Sequence, residues 1–209
     1  MAKPEKKKRE QYESALRKKS QCLKETFDPE RFEQLGADMT EDGNVRLKVL
    51  KWHFVLDPDS VSVTVEEEET APRTVWKILF LDYLNSQTPS KPSTFEGFTD
   101  FGEARGYQKA YDQRVTQRLT HGVGAEEATL REAAEALGGA MGEQDPLRYL
   151  FRFFPNFEMQ VVRQEGDEEL PSCCEVLFSD NALDVISIES MIVAAERLVS
   201  VLEGKGPCG

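Results

Sequence analysis

The alternation of apolar and polar residues predicts two clusters of β-strands. The first cluster covers residues 45–49, 54–56 and 61–65, where an apolar side chain returns at nearly every second position. The second covers residues 149–154, 157–163 and 172–178. Successive side chains of a strand point to opposite faces, so this period of two is typical of half-buried strands.

Helical spacing of apolar residues predicts the remaining regular structure. The segment 5–34 is predicted to be helical from its apolar stripe, and Asp28-Pro29 is a start signal for a short second helix that ends at Gly36. The strongest helical pattern covers residues 72–84. Three further helices are predicted at residues 107–119, 125–137 and 187–202.

The order of these elements predicts an α+β fold. Helices occupy the middle of the chain while strands fall into two clusters, which favours an antiparallel sheet packed with helices over alternating βαβ units. We expect residues 1–28 to form a basic, frayed N-terminal helix, residues 29–203 to form a single α+β domain, and residues 204–209 to be a flexible tail.

The composition is typical of one globular domain and argues against some classes of binding partner. The chain has 209 residues, of which 39% are hydrophobic and 31% charged. Its net charge of −12 argues against nucleic-acid binding, which depends on basic surface. No apolar run approaches the roughly 20 residues that span a bilayer, and no apolar stretch follows the N-terminal lysines as in a signal peptide. We therefore expect no membrane association and a cytoplasmic location.

Motifs for well-known chemistry are absent from the sequence. It contains no phosphate-binding glycine loop, no nucleophile elbow and no CxxC pair. The four cysteines, Cys22, Cys173, Cys174 and Cys208, are expected to be buried and inert. The acidic stretch 166–169 is expected to be a solvated hairpin tip, with a site for a hard cation as the alternative.

The two histidines leave one specialised hypothesis open. His53 and His121 are too few for a histidine-rich metal site, and each is expected to have a structural role. The alternative is that one of them is the axial ligand of a tetrapyrrole or corrinoid metal, for which a single neutral imidazole suffices.

The segment 95–111 is the best candidate for a ligand site. It combines aromatic residues with Gly97, Gly102 and Gly106. Rings stack on flat ligands and glycine lets the backbone approach them, so such mixtures line pockets. Phe101, Tyr107 and Tyr111 are the expected pocket walls, and ordinary core packing is the alternative.

Several short stretches, taken in order, resemble a known family. They are Ile78–Leu84, Phe101–Tyr111, Leu137–Gly139, Gly166–Pro171 and Val176–Ser179. This order resembles the domain of unknown function 3786, an uncharacterised family of mostly anaerobic bacteria, from about residue 29 to the last helix. Some relatives look like fusions to a four-cysteine iron–sulfur module of the kind found in corrinoid proteins, and that module is missing from this sequence.

The resemblance, joined to the candidate residues, gives the functional expectation. It implies a role in anaerobic, cofactor-dependent metabolism and a corrinoid or iron–sulfur protein as partner, but it transfers no catalytic residue. We expect a non-enzymatic binding or accessory protein that holds a corrinoid or another tetrapyrrole such as haem. The alternatives are a protein–protein adaptor with an acidic surface and an enzyme that uses the carboxylates of Asp167–Glu169.

Overall fold

The strands form two antiparallel sheets. A computed structural model describes residues 3–142 and 145–209. The four-stranded sheet has the order β1-β2-β3-β4, with β1 (Asp38–Met39), β2 (Val45–Val49), β3 (Trp52–Asp57) and β4 (Ser62–Val65). The five-stranded sheet has the order β5-β9-β8-β7-β6, with β5 (Phe95–Gly97), β6 (Ala140–Met141), β7 (Arg148–Phe154), β8 (Phe157–Gln164) and β9 (Cys173–Ser179).

The chain contains α-helices, three short 3₁₀ helices and one π-helix among its described residues. The α-helices are α1 (Lys3–Glu25), α2 (Pro29–Gln34), α3 (Thr74–Leu84), α4 (Gln108–Tyr111), α5 (Gln117–His121), α6 (Glu127–Ala136), α7 (Ala182–Val185) and α8 (Ile188–Leu202). 3₁₀ helices cover Glu66–Glu68, Phe98–Asp100 and Gly102–Tyr107, and a π-helix covers Asp112–Thr116.

The predicted α+β class and antiparallel pairing are confirmed. Each predicted strand cluster forms a sheet of its own, and the aromatic segment supplies β5 as an edge strand of the five-stranded sheet. Alternation decides which face is buried: Val45, Leu47 and Val49 of β2 lie in the core. The opposite face of β2 is polar, and there Lys48 lies directly across from His53 of β3.

Helix α3 connects the two sheets through aromatic contacts. Its Trp76 is stacked on Phe153 of β7, with ring centroids 5.7 Å apart, and packs at 6.1 Å against Phe54 of β3. Phe80, one turn further along, lies 5.6 Å from Phe54. Both sheets therefore contribute to one contiguous hydrophobic core with α3 at its centre.

Tyr83, also on α3, fixes two loops at the edge of this core. Its ring stacks on Phe154 at 4.3 Å, its hydroxyl donates to the Leu35 carbonyl at 2.7 Å, and the Asn156 N–H donates to the hydroxyl at 3.2 Å. Burial raises the pKa of Tyr83 to about 12, so the hydroxyl keeps its proton at neutral pH. The end of α2 and the β7–β8 turn are thus held side by side.

The N-terminal segment folds as two helices. Helix α1 ends at Glu25, and Asp28 caps α2 by accepting hydrogen bonds from the Glu30 and Arg31 backbone N–H groups. Helix α1 packs on α3, and Lys19 forms an ion pair with Asp82 there. The tail predicted at residues 204–209 lies near the start of α3, where the Arg73 N–H donates to the Pro207 carbonyl.

We predict that alanine at Gly36 destabilises the protein more than alanine at Gly43. Both glycines have positive φ, +83° and +78°, which costs an L-residue roughly 1–2 kcal/mol. A Cβ at Gly36 would lie 2.5 Å from Pro155 Cβ, whereas a Cβ at Gly43 meets nothing within 4 Å. In urea denaturation, the free energy of unfolding should fall by about 1 kcal/mol for Gly43→Ala and by about 3 kcal/mol for Gly36→Ala. Equal losses would contradict the close approach of Gly36 to Pro155.

Candidate functional site

Three rings of the segment 95–111 pack around a neighbouring aromatic side chain. Phe98, Phe101 and Tyr111 are buried, and their rings lie 6.2, 6.3 and 6.2 Å from the ring of Phe178 on β9. The Tyr111 hydroxyl donates to the Val176 carbonyl at 3.1 Å, and burial raises the pKa of Tyr111 well above its usual value. These rings pack the core on one face of the five-stranded sheet.

Tyr107 lies apart from these rings, on the surface. Its side chain is 39% exposed and its hydroxyl donates to Glu189 at 2.7 Å, which raises the pKa of Tyr107. A shallow depression of about 480 Å³ lies beside Gly106, but polar side chains such as Arg105 and Lys109 line it rather than the predicted aromatic residues.

The two histidines lie on different parts of the fold. His121 is exposed at the last residue of α5. His53 lies on the polar face of the four-stranded sheet, where its Nδ1 is 2.7 Å from Glu67 Oε1. Partial burial alone would raise the pKa of Glu67, but hydrogen bonds from His53 outweigh it and lower that pKa. The structure therefore brings Phe101 and Tyr111 together around Phe178, and it brings neither histidine to them.

A cleft lies instead where the two sheets meet. The end of β2 contacts β7, and the cleft beside this contact has a volume of about 510 Å³. We call it the seam cleft. Its lining comes from β2 and the β2–β3 loop, from β6, β7 and β8, from the β7–β8 turn and from the residues that follow α2 and α6. The lining residues are Gly36, Lys48, Leu50, Leu137, Gly138, Ala140, Leu150, Phe151, Arg152, Pro155 and Glu158.

The apolar wall of the seam cleft contains a strained residue. Leu50 has φ +54° at the first of the two loop residues between β2 and β3, the position that glycine usually takes in a type II′ turn. Its N–H donates to the Phe153 carbonyl at 3.0 Å, so this loop is hydrogen-bonded to the five-stranded sheet. Such strain, of order 1–3 kcal/mol, persists where the surroundings fix it and is concentrated at functional sites.

Two cations and one carboxylate provide the polar groups of the seam cleft. Arg152 Nε lies 3.2 Å from Glu158 Oε1, and the Arg152 side chain is 69% exposed. Lys48 is exposed and has no hydrogen bond or ion pair with any residue that the structure describes. An ammonium and a guanidinium therefore face the same opening, with one carboxylate to balance them.

Sequence reasoning missed this cleft because its charged residues resemble an ordinary solvated face. Lys48 and Arg152 each occupy the polar position of an alternating strand, and about a hundred residues separate them. The predicted runs 45–49 and 54–56 also hid the loop, because only the structure shows that Leu50-Lys51 is a two-residue link, and it lacks the glycine or asparagine that such links favour.

The acidic turn and the cysteines are also placed by the fold. Asp167 Oδ1 accepts hydrogen bonds from the Glu169 and Leu170 N–H groups, both at 2.8 Å, which is consistent with a solvated hairpin tip. The expectation of buried thiols is right for Cys174 and wrong for Cys22 and Cys173, which are exposed. Cys173 is exposed and Cys174 buried because consecutive residues of β9 face opposite sides of the sheet.

Comparison with known proteins identifies the family. The family model described as "Domain of unknown function (DUF3786)" matches residues 29–201, well over half of the chain, so the chain belongs to this family. The comparison with curated proteins and the comparison with solved structures gave no match. Among the residues that the structure describes, no helix is long and apolar enough to cross a membrane.

We predict that the two tyrosines of the aromatic segment respond differently to loss of the hydroxyl. Tyr111→Phe removes a buried hydrogen bond to Val176 and should lower the free energy of unfolding by about 1 kcal/mol or slightly more. Tyr107→Phe removes an exposed one and should change it by less than about 0.5 kcal/mol. Chemical denaturation of both variants measures this, and equal effects would contradict the core position of Tyr111.

We predict that two thiols react quickly in the native protein. Cys22 and Cys173 are exposed, whereas Cys174 is buried and burial raises its pKa to about 11. Burial also raises the pKa of Cys208 to about 11. The thiolate is the reactive form, so a thiol-specific colorimetric reagent at pH 8 should modify Cys22 and Cys173 first. Cys173→Ser should remove one fast equivalent and Cys174→Ser none; a loss in both variants contradicts this assignment.

Proposed function

We propose that this chain is a non-enzymatic binding protein that holds a small anionic ligand in the seam cleft. The observation that carries the proposal is the pair of cations at the cleft, Lys48 without a partner among the described residues and Arg152 largely exposed. They come from different sheets, so only the folded protein presents them together.

The shape of the seam cleft supports a small ligand. Pockets for small molecules usually measure about 300–1,000 Å³ and combine apolar walls with a few polar groups. The seam cleft has a volume of about 510 Å³, with Leu50, Leu150 and Phe151 as apolar lining. Its walls are also held in place, by the Leu50–Phe153 hydrogen bond and by the contact of Gly36 with Pro155.

The charge of the seam cleft supports an anion. The whole chain carries a net charge of −12, yet this cleft has two cations and one carboxylate. A local positive excess on an acidic protein attracts an anionic ligand and orients it. The Arg152 guanidinium suits a carboxylate or phosphate group, because its planar fork can donate two parallel hydrogen bonds.

A corrinoid or haem ligand is a narrower proposal with less support. It needs flat aromatic walls and an axial histidine at one place, whereas Phe101 and Tyr111 pack around Phe178 and His121 lies on α5. His53 is the histidine next to the seam cleft, since it lies across from Lys48. The accessory role in anaerobic metabolism, with a corrinoid or iron–sulfur partner, rests on the family resemblance alone.

We predict that ligand binding depends on Lys48 and Arg152. A panel of small di- and tricarboxylates and phosphate esters, with cobalamin and haem included, would be screened by thermal shift and the hits measured by calorimetry. Lys48→Met and Arg152→Met should each weaken binding about 10–100-fold, because each removes a hydrogen bond to a charged group worth about 1.5–3 kcal/mol.

Arg148→Met is the matched control for this experiment. Arg148 lies on the same strand as Arg152, two alternate positions away, pairs with Asp145 and does not line the seam cleft. The Arg148→Met variant should bind the ligand with the same affinity as the unmodified chain. Absence of any anionic ligand, or equal losses in all three variants, counts against the proposal. A visible spectral shift with cobalamin or haem that His53→Ala abolishes would favour the tetrapyrrole instead.

A further inference from the structure

We propose that His53, Glu66 and Glu67 form a binding site for a divalent transition-metal ion such as Zn²⁺. We call these residues the histidine–glutamate cluster. The cluster lies on the polar face of the four-stranded sheet, outside the seam cleft. The inference goes beyond the proposed function and does not depend on it.

The fold brings the three side chains together across two strands. Val65, the last residue of β4, is in register with Phe54 of β3. The turn of helix that follows, Glu66–Glu68, therefore lies beside His53. A hydrogen bond of 2.8 Å from the Val65 N–H to the Thr70 carbonyl closes this turn and fixes its position.

The distances suit one ion between three ligand atoms. His53 Nδ1 is 2.7 Å from Glu67 Oε1 and 3.9 Å from Glu66 Oε2, and one atom from each residue lies within 4.8 Å of the others. Zinc binds such atoms at about 2.0–2.2 Å, so tetrahedral ligands lie about 3.4 Å apart. The His53–Glu67 pair is closer than this, so Glu67 has to move outward by somewhat less than about 1 Å, and its side chain is 39% exposed. The His53–Glu66 separation is slightly wider than this spacing.

The donor set and its exposure define the class of ion. An imidazole nitrogen with two carboxylate oxygens suits Zn²⁺, Co²⁺ or Mn²⁺ better than Ca²⁺ or Mg²⁺, which take oxygen ligands. All three side chains are partly exposed, between 30% and 49%, which leaves the outer side open to water ligands. Three protein ligands and an open position are the arrangement of a reactive rather than a closed structural zinc site.

Neighbouring groups hold the two carboxylates in position. The His53 backbone N–H donates to both oxygens of Glu67 at 3.0 Å. Arg46 Nη2 lies 2.7 Å from Glu66 Oε2 and orients that carboxylate from the side of β2. Such outer hydrogen bonds orient metal ligands, although the positive charge of Arg46 also opposes a bound cation.

Metal binding requires one change in the histidine. In the metal-free protein the Nδ1–H donates to Glu67, whereas a metal needs the Nδ1 lone pair. The neutral ring therefore carries its proton on Nε2 in the bound state, and protonation of both nitrogens blocks binding.

The experiment is a titration of the full chain with Co²⁺ followed by absorption, and with Zn²⁺ followed by calorimetry, at pH 7.5. We expect one ion per chain. His53→Ala should weaken binding at least as much as the roughly 10–100-fold typical of losing an outer-sphere partner. His121→Ala, which removes the other histidine of the chain, should leave it unchanged.

Two further variants separate ligand loss from other effects. Glu67→Gln keeps the size of the side chain while removing its charge, so reduced affinity in a variant with unchanged circular dichroism reports on the ligand. Arg46→Met should tighten binding severalfold, because it removes a cation beside the metal.

Three results would overturn the inference. The first is the absence of Co²⁺ and Zn²⁺ binding, which leaves the histidine–glutamate cluster as an internal hydrogen-bonded group. The second is binding that survives His53→Ala. The third is an intense thiolate-to-cobalt absorption band, which would assign the metal to the exposed thiols of Cys22 or Cys173.

Discussion

The packing of Trp76 between two sheets is the contact on which the rest of the structure depends. No strand pairing joins the two sheets within the described part of the chain, so the main link between them is the side chain of a helix rather than a ladder of hydrogen bonds. Trp76 meets Phe54 in one sheet and Phe153 in the other. Buried aromatic residues of this size dominate core energetics, and offset stacking adds about 0.5–1.5 kcal/mol per pair. The relative position of the two sheets is therefore set by α3.

The seam cleft follows from this arrangement. Because α3 packs against both sheets, the end of β2 lies against β7, and the Leu50 N–H can donate to the Phe153 carbonyl. Lys48 on β2 and Arg152 on β7 therefore both line the seam cleft, although these strands belong to different sheets. The histidine–glutamate cluster depends less on α3, since β3, β4 and one turn of helix are enough to assemble it.

Sequence patterns predicted the elements better than the sites. Alternation identified β2, β7, β8 and β9, and apolar spacing identified α3 and α8, because burial of one face repeats along the chain. The aromatic residues Phe101 and Tyr111 are as typical of a hydrophobic core as of a ligand pocket. In the structure both rings pack against Phe178, which lies some seventy residues further along the chain. The two-residue strands β1 and β6 and the π-helix left no periodic signal of their own.

The position of Trp76 in the chain also sets the order in which the core can be completed during synthesis. Phe54 leaves the ribosome about 100 residues before Phe153, and the end of α3 leaves it about 70 residues before Phe153. At roughly 5–20 residues per second, the four-stranded sheet and α3 wait several seconds for the five-stranded sheet. Throughout that interval one face of Trp76 has no partner. The nascent chain thus exposes an aromatic surface, which is covered only when Phe153 of β7 has been synthesised.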